Sequence, residues 1–146
     1  MTAADRGEEP LFLQALPQLH RLILGSDSLK HLGFTKTQLI VLISVGRRKQ
    51  LHMGQIAEYI SSSKEQATRA VAPLVDRGLL ERHSDPDNRT HVCVTLTAAG
   101  RALMDQCRED FTAELEERLD KSLSPEEREA LARAVTTLIR LLDKVV

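Results

Sequence analysis

The sequence predicts a mainly α-helical (α+β) fold, and three observations lead to it. Residues 54–60 show an apolar helical period, and a second helical run at 64–77 follows after a short serine cluster. Two runs with the composition of β-strands, 79–84 and 91–96, come next and are joined by a polar tip at 85–90. Helix, tight turn, helix and β-hairpin in this order predict a winged helix-turn-helix.

The start of the second helix is marked by two overlapping capping signals. Ser62 with Glu65, and Ser63 with Gln66, both have the S-x-x-E/Q spacing of a capping box, so either serine fits the N-cap. Gly78 suits the left-handed position that follows a helix. The helix is therefore expected to run from the serine cluster to Gly78.

This second helix carries its polar residues first and its apolar residues later. A helix that enters the major groove of DNA by its N-terminal end needs that distribution. Gln can pair with adenine and Arg with guanine, although a capped surface helix shows the same pattern. The candidates for contact with bases or phosphates are Lys64, Glu65, Gln66, Thr68 and Arg69.

The hairpin tip combines turn formers with one arginine. Asp85-Pro86 and Asp87-Asn88 favour turns, whereas Arg89 has no core role at such a position. The negative potential of a minor groove attracts an inserted arginine, and Asp87 is close enough in sequence to hold the guanidinium in one pose. A solvated loop arginine is the alternative. Two further residues are candidates for contact with the DNA backbone: Ser63 and Arg82.

Several of these motifs together resemble the MarR family (multiple antibiotic resistance regulators). They are the runs at 53–60, 67–69, 76–82, 85–89 and 94–101. The resemblance extends from about residue 33 to the C-terminus, and its most specific part is the tip pattern followed by Leu-Thr-x-x-Gly. It implies a homodimeric transcriptional regulator that binds double-stranded DNA and is often released by a small ligand or an oxidant.

On this resemblance we expect a single MarR-type domain over 1–146. The winged helix-turn-helix would occupy 33–97, and helices at 10–32 and 98–146 would form the dimer. An effector pocket is implied between the dimer helices and the DNA-reading unit, with His20, Arg21 and His31 as its polar candidates. No cysteine lies near the start of the first helix, so oxidant sensing of the kind found in some relatives is not expected.

The helices that flank the motif show their own signals. An apolar stripe from Pro10 to about residue 24 predicts the first helix, and Pro17 is expected to kink or restart it. That interruption departs from the long continuous helix usual in the family. Thr35 with Gln38 predicts a cap for a further helix that Gly46 ends, and residues 51–53 suggest a short third strand.

Two long helices are predicted after the hairpin. Thr97 suits the cap of the first, which is expected to reach about Lys121 with Cys107 in its apolar stripe. Ser124, with Pro125 next and Glu127 three residues on, caps the second. Its apolar residues alternate spacings of four and three, which is typical of a helix–helix seam and favours a homodimer: Leu131, Val135, Leu138, Leu142 and Val145.

The distribution of charge agrees with a mildly basic winged helix-turn-helix joined to acidic C-terminal helices. The net charge of the 146 residues is −1, yet residues 47–91 carry eight Lys/Arg against six Asp/Glu, and residues 100–146 carry eight against eleven. No apolar run is long enough for a membrane span, and the N-terminus lacks the features of a signal peptide. Two cysteines without C-x-x-C spacing favour a reduced, cytoplasmic protein.

Other classes of function find little support. There is no nucleophile elbow, phosphate loop or H-E-x-x-H, and the acidic residues at 114–120 resemble a solvated helix face, so we expect no enzyme and no cofactor. His83, His91 and Cys93 are able to meet across the hairpin, but with no evident fourth ligand we expect structural roles and no metal. The alternative function is a winged-helix module that binds another protein.

Overall fold

A computed structural model describes residues 11–146; the predicted helix start at Pro10 and the polar residues before it lie outside this range. The described chain forms two compact units, one ending at Glu109 and the other comprising Asp110–Val146. The helices are α1 (Leu11–Leu24), α2 (Asp27–Lys30), α3 (Lys36–Arg47), α4 (Met53–Tyr59), α5 (Lys64–Asp76), α6 (Ala98–Ser122) and α7 (Pro125–Leu142). The strands are β1 (Leu51–His52), β2 (Leu80–Ser84) and β3 (Val92–Leu96).

The order of these elements is that of a winged helix-turn-helix, as predicted. The three strands form an antiparallel sheet in the order β1-β3-β2, in which Val94 pairs with Leu51 on one side and with Arg82 on the other. The predicted third strand is therefore present, two residues long. A fully buried apolar core joins α3, α4 and α5 to the base of this sheet: Val41, Leu42, Ile56, Ala67, Val71, Leu74 and Val94.

The capping signals place the helix starts. Thr35 and Gln38 form a reciprocal capping box at the start of α3, and Ser124 and Glu127 form another at the start of α7. At α5 the structure selects Ser63, whose hydroxyl accepts the backbone N–H of Gln66 at 3.2 Å. Each cap satisfies a backbone donor that has no partner within its helix.

Thr97 connects the end of α5 to the start of α6. Its hydroxyl donates to the carbonyl of Gly78 at 2.6 Å and accepts the backbone N–H of Gly100 at 2.9 Å. Its own backbone N–H donates to the carbonyl of Leu79 at 3.1 Å. Gly78 adopts φ +71°, the left-handed conformation expected after a helix. One threonine thus caps α6 and fixes it to the turn after α5.

Two predicted helix boundaries differ from those observed. Helix α1 is continuous across Pro17 and does not restart there; Pro17 cannot donate to the carbonyl of Leu13, and both residues are exposed to water. The chain breaks later, at Gly25, and Ser26 starts α2 by accepting the N–H of Leu29. Gly46 does not end α3, which continues to Arg47.

Residues of β3 do not alternate strictly between buried and exposed. Val94 is buried, as expected for the core face, but Cys93 on the other face is also 0% exposed. Its thiol is covered by His52 at the end of β1, with Nδ1 3.9 Å from Sγ, and by the buried Asp85. The opposite face of the sheet is therefore closed locally by polar side chains.

In the unit Asp110–Val146, the acidic residues of α6 are not simply solvated. Glu116 and Asp120 both bind the guanidinium of Arg128 on α7, and Glu117 pairs with Lys121 at 2.6 Å. The apolar seam predicted along α7 is present but uncovered in the single chain. Among the described residues, no helix is both long and apolar enough to cross a membrane.

Candidate nucleic-acid interface

The N-terminal half of α5 presents a polar surface whose direction is set by its buried side. Ala67, Val71 and Leu74 are each 0% exposed and face the core. At 3.6 residues per turn, Glu65 and Arg69 lie on the opposite side of the helix, one turn apart. Both are exposed, so these two side chains form the outward line of the helix.

Glu65 is held as a carboxylate. Its own backbone N–H and the Ser63 hydroxyl donate to it, and the positive charges of Arg69 and Lys64 act in the same direction, so its pKa lies below its ordinary value. The carboxylate is therefore ionised at neutral pH and is an acceptor at the centre of this surface. The arrangement follows from the serine cap, which places Glu65 in the first turn.

The other predicted helix residues border two clefts, one on each side of the outward line. Lys64 and Thr68 line a cleft of about 470 Å³ between α5, α4 and the hairpin. Gln66 and Arg69 line a second cleft of about 380 Å³. The hydroxyl of Thr68 donates to the carbonyl of Lys64 at 2.9 Å, which leaves its methyl group free to make an apolar contact.

The second cleft brings in residues that sequence reasoning did not select as site residues. Thr35, Thr37 and Gln38, at the start of α3, line it together with Gln66 and Arg69. The Thr35 capping box was recognised in the sequence, but nothing in the pattern indicates that the starts of α3 and α5 meet. Their contact depends on the packing of the core.

The hairpin tip is ordered by side chains that bond to neighbouring backbone groups. Asp85 accepts the N–H of Asp87 at 2.9 Å, and the side-chain oxygen of Asn88 accepts both the N–H and the hydroxyl of Thr90. Arg89 lies between these turns and is exposed. Within the described residues no ion pair joins it to Asp87, so the predicted support of the guanidinium by Asp87 is not seen in this structure. Arg82, on β2, is also exposed.

The predicted effector residues lie on the surface. His20 and Arg21, both on α1, are exposed, as is His31 after α2. The Nε2 atom of His20 is 3.0 Å from Nζ of Lys36. None of the three residues lines either of the two clefts described above.

Comparison with known proteins gives a consistent result. A model of the MarR family matches residues 32–89. The chain is 30% identical over 122 residues to the multiple antibiotic resistance protein MarR of Escherichia coli (strain K12), covering 84% of this chain and 80% of that protein. The same protein from Salmonella typhimurium matches with the same identity and coverage.

Solved structures share the fold. The apo form of E. coli MarR superposes with a TM-score of 0.69 at 29% identity, covering 93% of each chain. A MarR variant from E. coli, crystallised in complex with operator DNA, has a TM-score of 0.62 at 27% identity and covers 94% of this chain and 99% of its own. Because the identity to E. coli MarR extends over most of both chains, this protein belongs to the MarR family of transcriptional regulators.

Proposed function

We propose that the protein is a homodimeric regulator that binds a pseudo-palindromic operator in double-stranded DNA. One observation carries the proposal. The outward line of α5, Glu65 and Arg69, is exposed at the N-terminal end of the helix and lies beside a hairpin whose exposed tip carries Arg89. A protein of the same fold, the E. coli MarR variant, was crystallised with operator DNA.

Each side chain of α5 has a role that its chemistry supports. Arg69 is suited to bidentate pairing with guanine, and the carboxylate of Glu65 to accepting a hydrogen bond from cytosine. Gln66, on one flank, suits adenine, whereas Lys64 on the other flank suits a phosphate. The methyl group of Thr68 suits contact with the methyl of thymine.

Four more residues complete the proposed interface. Arg89 enters the minor groove beside the half-site, where the potential is most negative, and Asp87 supports the guanidinium once DNA is bound. Ser63 and Arg82 contact phosphates, which fixes the register of the protein on the duplex without reading sequence.

The dimer is supported by apolar surface that a single chain leaves uncovered. Helix α1 has no buried residue, and Leu11, Phe12 and Leu16 are 80%, 61% and 58% exposed. Helix α7 exposes Leu131 and Val135 in its central turns. Contiguous apolar faces of this kind mark association sites, and a second copy related by two-fold symmetry is the commonest partner. A two-fold axis also accounts for a pseudo-palindromic site.

A small-molecule effector would act by changing the spacing of the two α5 helices. A ligand shifts such an equilibrium only by the difference between its affinities for the two states. The polar candidates for contact with it remain His20, Arg21 and His31. We propose a cytoplasmic location, where a regulator that acts on operator DNA would meet its site.

Selection of bound sequences from random duplex DNA tests the proposal. We expect two inverted half-sites whose centres are separated by about one helical turn, 10–10.5 base pairs, or a multiple of it. Affinity should fall steeply as salt rises, because phosphate contacts release counterions. The variant Arg69→Ala should lose preference at one position of each half-site. The proposal would be contradicted if no sequence were enriched. It would also be contradicted if the protein bound a protein partner instead, with an affinity that does not change with salt.

A further inference from the structure

One face of the hairpin sheet carries five side chains able to bind a metal ion. The strand register pairs Cys93 with His52 on one side and with His83 on the other. Side chains of paired residues share a face, and residues two apart along an extended strand share it too. Asp85 and His91 therefore join the same face. The sequence showed part of this set, but the pairing of β1 with β3 adds His52.

Three of these side chains converge. One ligand atom each from His52, Asp85 and Cys93 can be chosen so that all three lie within 4.8 Å of one another. The imidazole lies between the other two, with Nε2 3.5 Å from the Asp85 carboxylate and Nδ1 3.9 Å from the Cys93 thiol. Zinc bonds of about 2.0–2.3 Å in a tetrahedron put neighbouring ligand atoms about 3.3–3.8 Å apart. Because one ion takes only one ring nitrogen of His52, the three chosen ligand atoms, now within 4.8 Å of one another, must approach by up to about 1 Å to bind it.

The distances between His52, Asp85 and Cys93 are longer than those of ordinary hydrogen bonds between such groups. Charge-assisted hydrogen bonds are usually about 2.7–2.9 Å, which is shorter than the 3.5 Å between His52 and Asp85. Yet Asp85 is only 7% exposed and Cys93 is fully buried. Asp85 accepts the backbone N–H of Asp87 at 2.9 Å, and a cation among the three side chains would add the positive partner that stabilises a buried carboxylate.

We propose that His52, Asp85 and Cys93 form a binding site for a divalent transition-metal ion, with Zn²⁺ the best match. One nitrogen, one oxygen and one sulfur ligand suit this borderline-soft ion. Water completes the fourth position. The site differs from the set that the sequence suggested, because His52 and Asp85 replace His83 and His91.

Binding of the metal ion releases a proton from the protein. The metal binds the thiolate, so the thiol proton passes to solvent as the metal–sulfur bond forms, and affinity increases with pH.

The three ligands come from parts of the fold that the proposed interface uses. His52 ends β1 directly before α4, Asp85 begins the hairpin tip, and Cys93 lies within β3. An ion shared by them ties the tip that carries Arg89 to the helix-turn-helix. This consequence for DNA binding rests on the proposed function, whereas the metal site itself does not.

Titration of the metal-free 146-residue chain with Co²⁺, without DNA, tests the site. We expect one Co²⁺ per chain, the visible absorption of a tetrahedral ion, a thiolate-to-cobalt charge-transfer band, and displacement of both by Zn²⁺. Cys93→Ser should abolish the charge-transfer band, whereas Cys107→Ser, at the other buried cysteine, should keep it. His52→Gln and Asp85→Asn should weaken binding more than about tenfold; His20→Gln should not.

Circular dichroism shows whether each variant is folded. If a variant is not folded, the titration of the wild type alone still tests the proposal. The absence of a thiolate-to-cobalt band in wild type would overturn the site, as would a band that persists in folded Cys93→Ser. Zn²⁺ should also raise the thermal midpoint of the wild type and not that of Cys93→Ser, because ligand binding stabilises only the state that binds. Since no DNA is present, a failed operator experiment leaves this result unaffected.

Discussion

Gly100 lies against the backbone of Leu79 so closely that no side chain fits between them. A β-carbon added at Gly100 would overlap the carbonyl oxygen of Leu79 and lie 3.0 Å from its carbonyl carbon. That oxygen also accepts the N–H of Thr97. The glycine of the Leu-Thr-x-x-Gly motif is therefore explained by the close approach of α6 to the start of the hairpin.

Replacement of this glycine should destabilise the fold. Gly100→Ala forces backbone to move and should lower the free energy of unfolding by about 1–3 kcal/mol, the usual range for overpacking, measured by urea denaturation. Gly54→Ala is the matched control, since its β-carbon would meet only the flexible end of the Lys64 side chain. A neutral or positive effect is expected there, from better helix propensity. Equal losses in both variants would argue against the close approach.

The choice of cap at α5 can be tested with adjacent serines. Ser63→Ala removes the acceptor of the Gln66 N–H and should cost about 0.5–2 kcal/mol of unfolding free energy. Ser62 lies one residue earlier in the turn, where its backbone N–H donates to Ala57, so Ser62→Ala should have little effect. The opposite order in urea denaturation would mean that Ser62 is the cap.

The pH dependence of stability should include a contribution from Glu65. Its pKa is lowered in the folded chain, so the contribution is complete above the unfolded carboxylate value of about 4.3 and is lost as pH falls through the lower folded value. An NMR titration of the Glu65 carboxyl measures the shift. Ser63→Ala removes one donor and should move the pKa upward; an unchanged titration curve would exclude the Ser63 hydroxyl as a cause.

The contribution of the hairpin tip to DNA binding can be measured with one substitution. Arg89→Ala should weaken binding to the selected operator by about 1–3 kcal/mol if the guanidinium enters the minor groove. Arg108→Ala, at an exposed arginine of α6 that pairs with Asp105, is the control and should leave affinity unchanged. Titrations at one fixed salt concentration decide the matter, and equal affinities for Arg89→Ala and wild type would remove the tip from the interface.

The role of α7 in the proposed dimer can be tested by placing a charge on its apolar seam. Val135→Glu should shift the protein from dimer to monomer in light scattering, because a carboxylate within an apolar interface must be desolvated. Thr137→Glu adds the same charge on the other side of the helix and should leave the dimer intact. A chain that ends at Leu123 should also be monomeric. A dimer that survives both the charge and the truncation would exclude α7 from the interface.

The fold was accessible from the sequence because its elements carry strong local signals. Ser63, Thr35, Thr97 and Ser124 mark helix starts through hydrogen bonds within a few residues, and such bonds leave a spacing in the sequence. Helix α1 does not restart at Pro17, because the carbonyl that the proline leaves without a donor is exposed to water. That exposure is a property of the folded chain.

The candidate site divides in the same way. The polar residues of α5 follow from helical periodicity, whereas the approach of Thr35 to Arg69 and of His52 to Cys93 depends on segments distant in sequence. His52 is paired with Cys93 by a two-residue strand, too short to be recognised as a ligand-bearing element. Only the three-dimensional structure shows that Cys93 is buried and that His52 covers it.

Thr97 gives α6 a mechanical role. Its hydroxyl and its backbone N–H donate hydrogen bonds to the carbonyl oxygens of Gly78 and Leu79, which follow the last turn of α5. The first turn of α6 cannot slide past that point unless both bonds break. A rotation of the first turn of α6 would therefore be passed to the end of α5, and removal of the Thr97 hydroxyl would weaken that connection between the two helices.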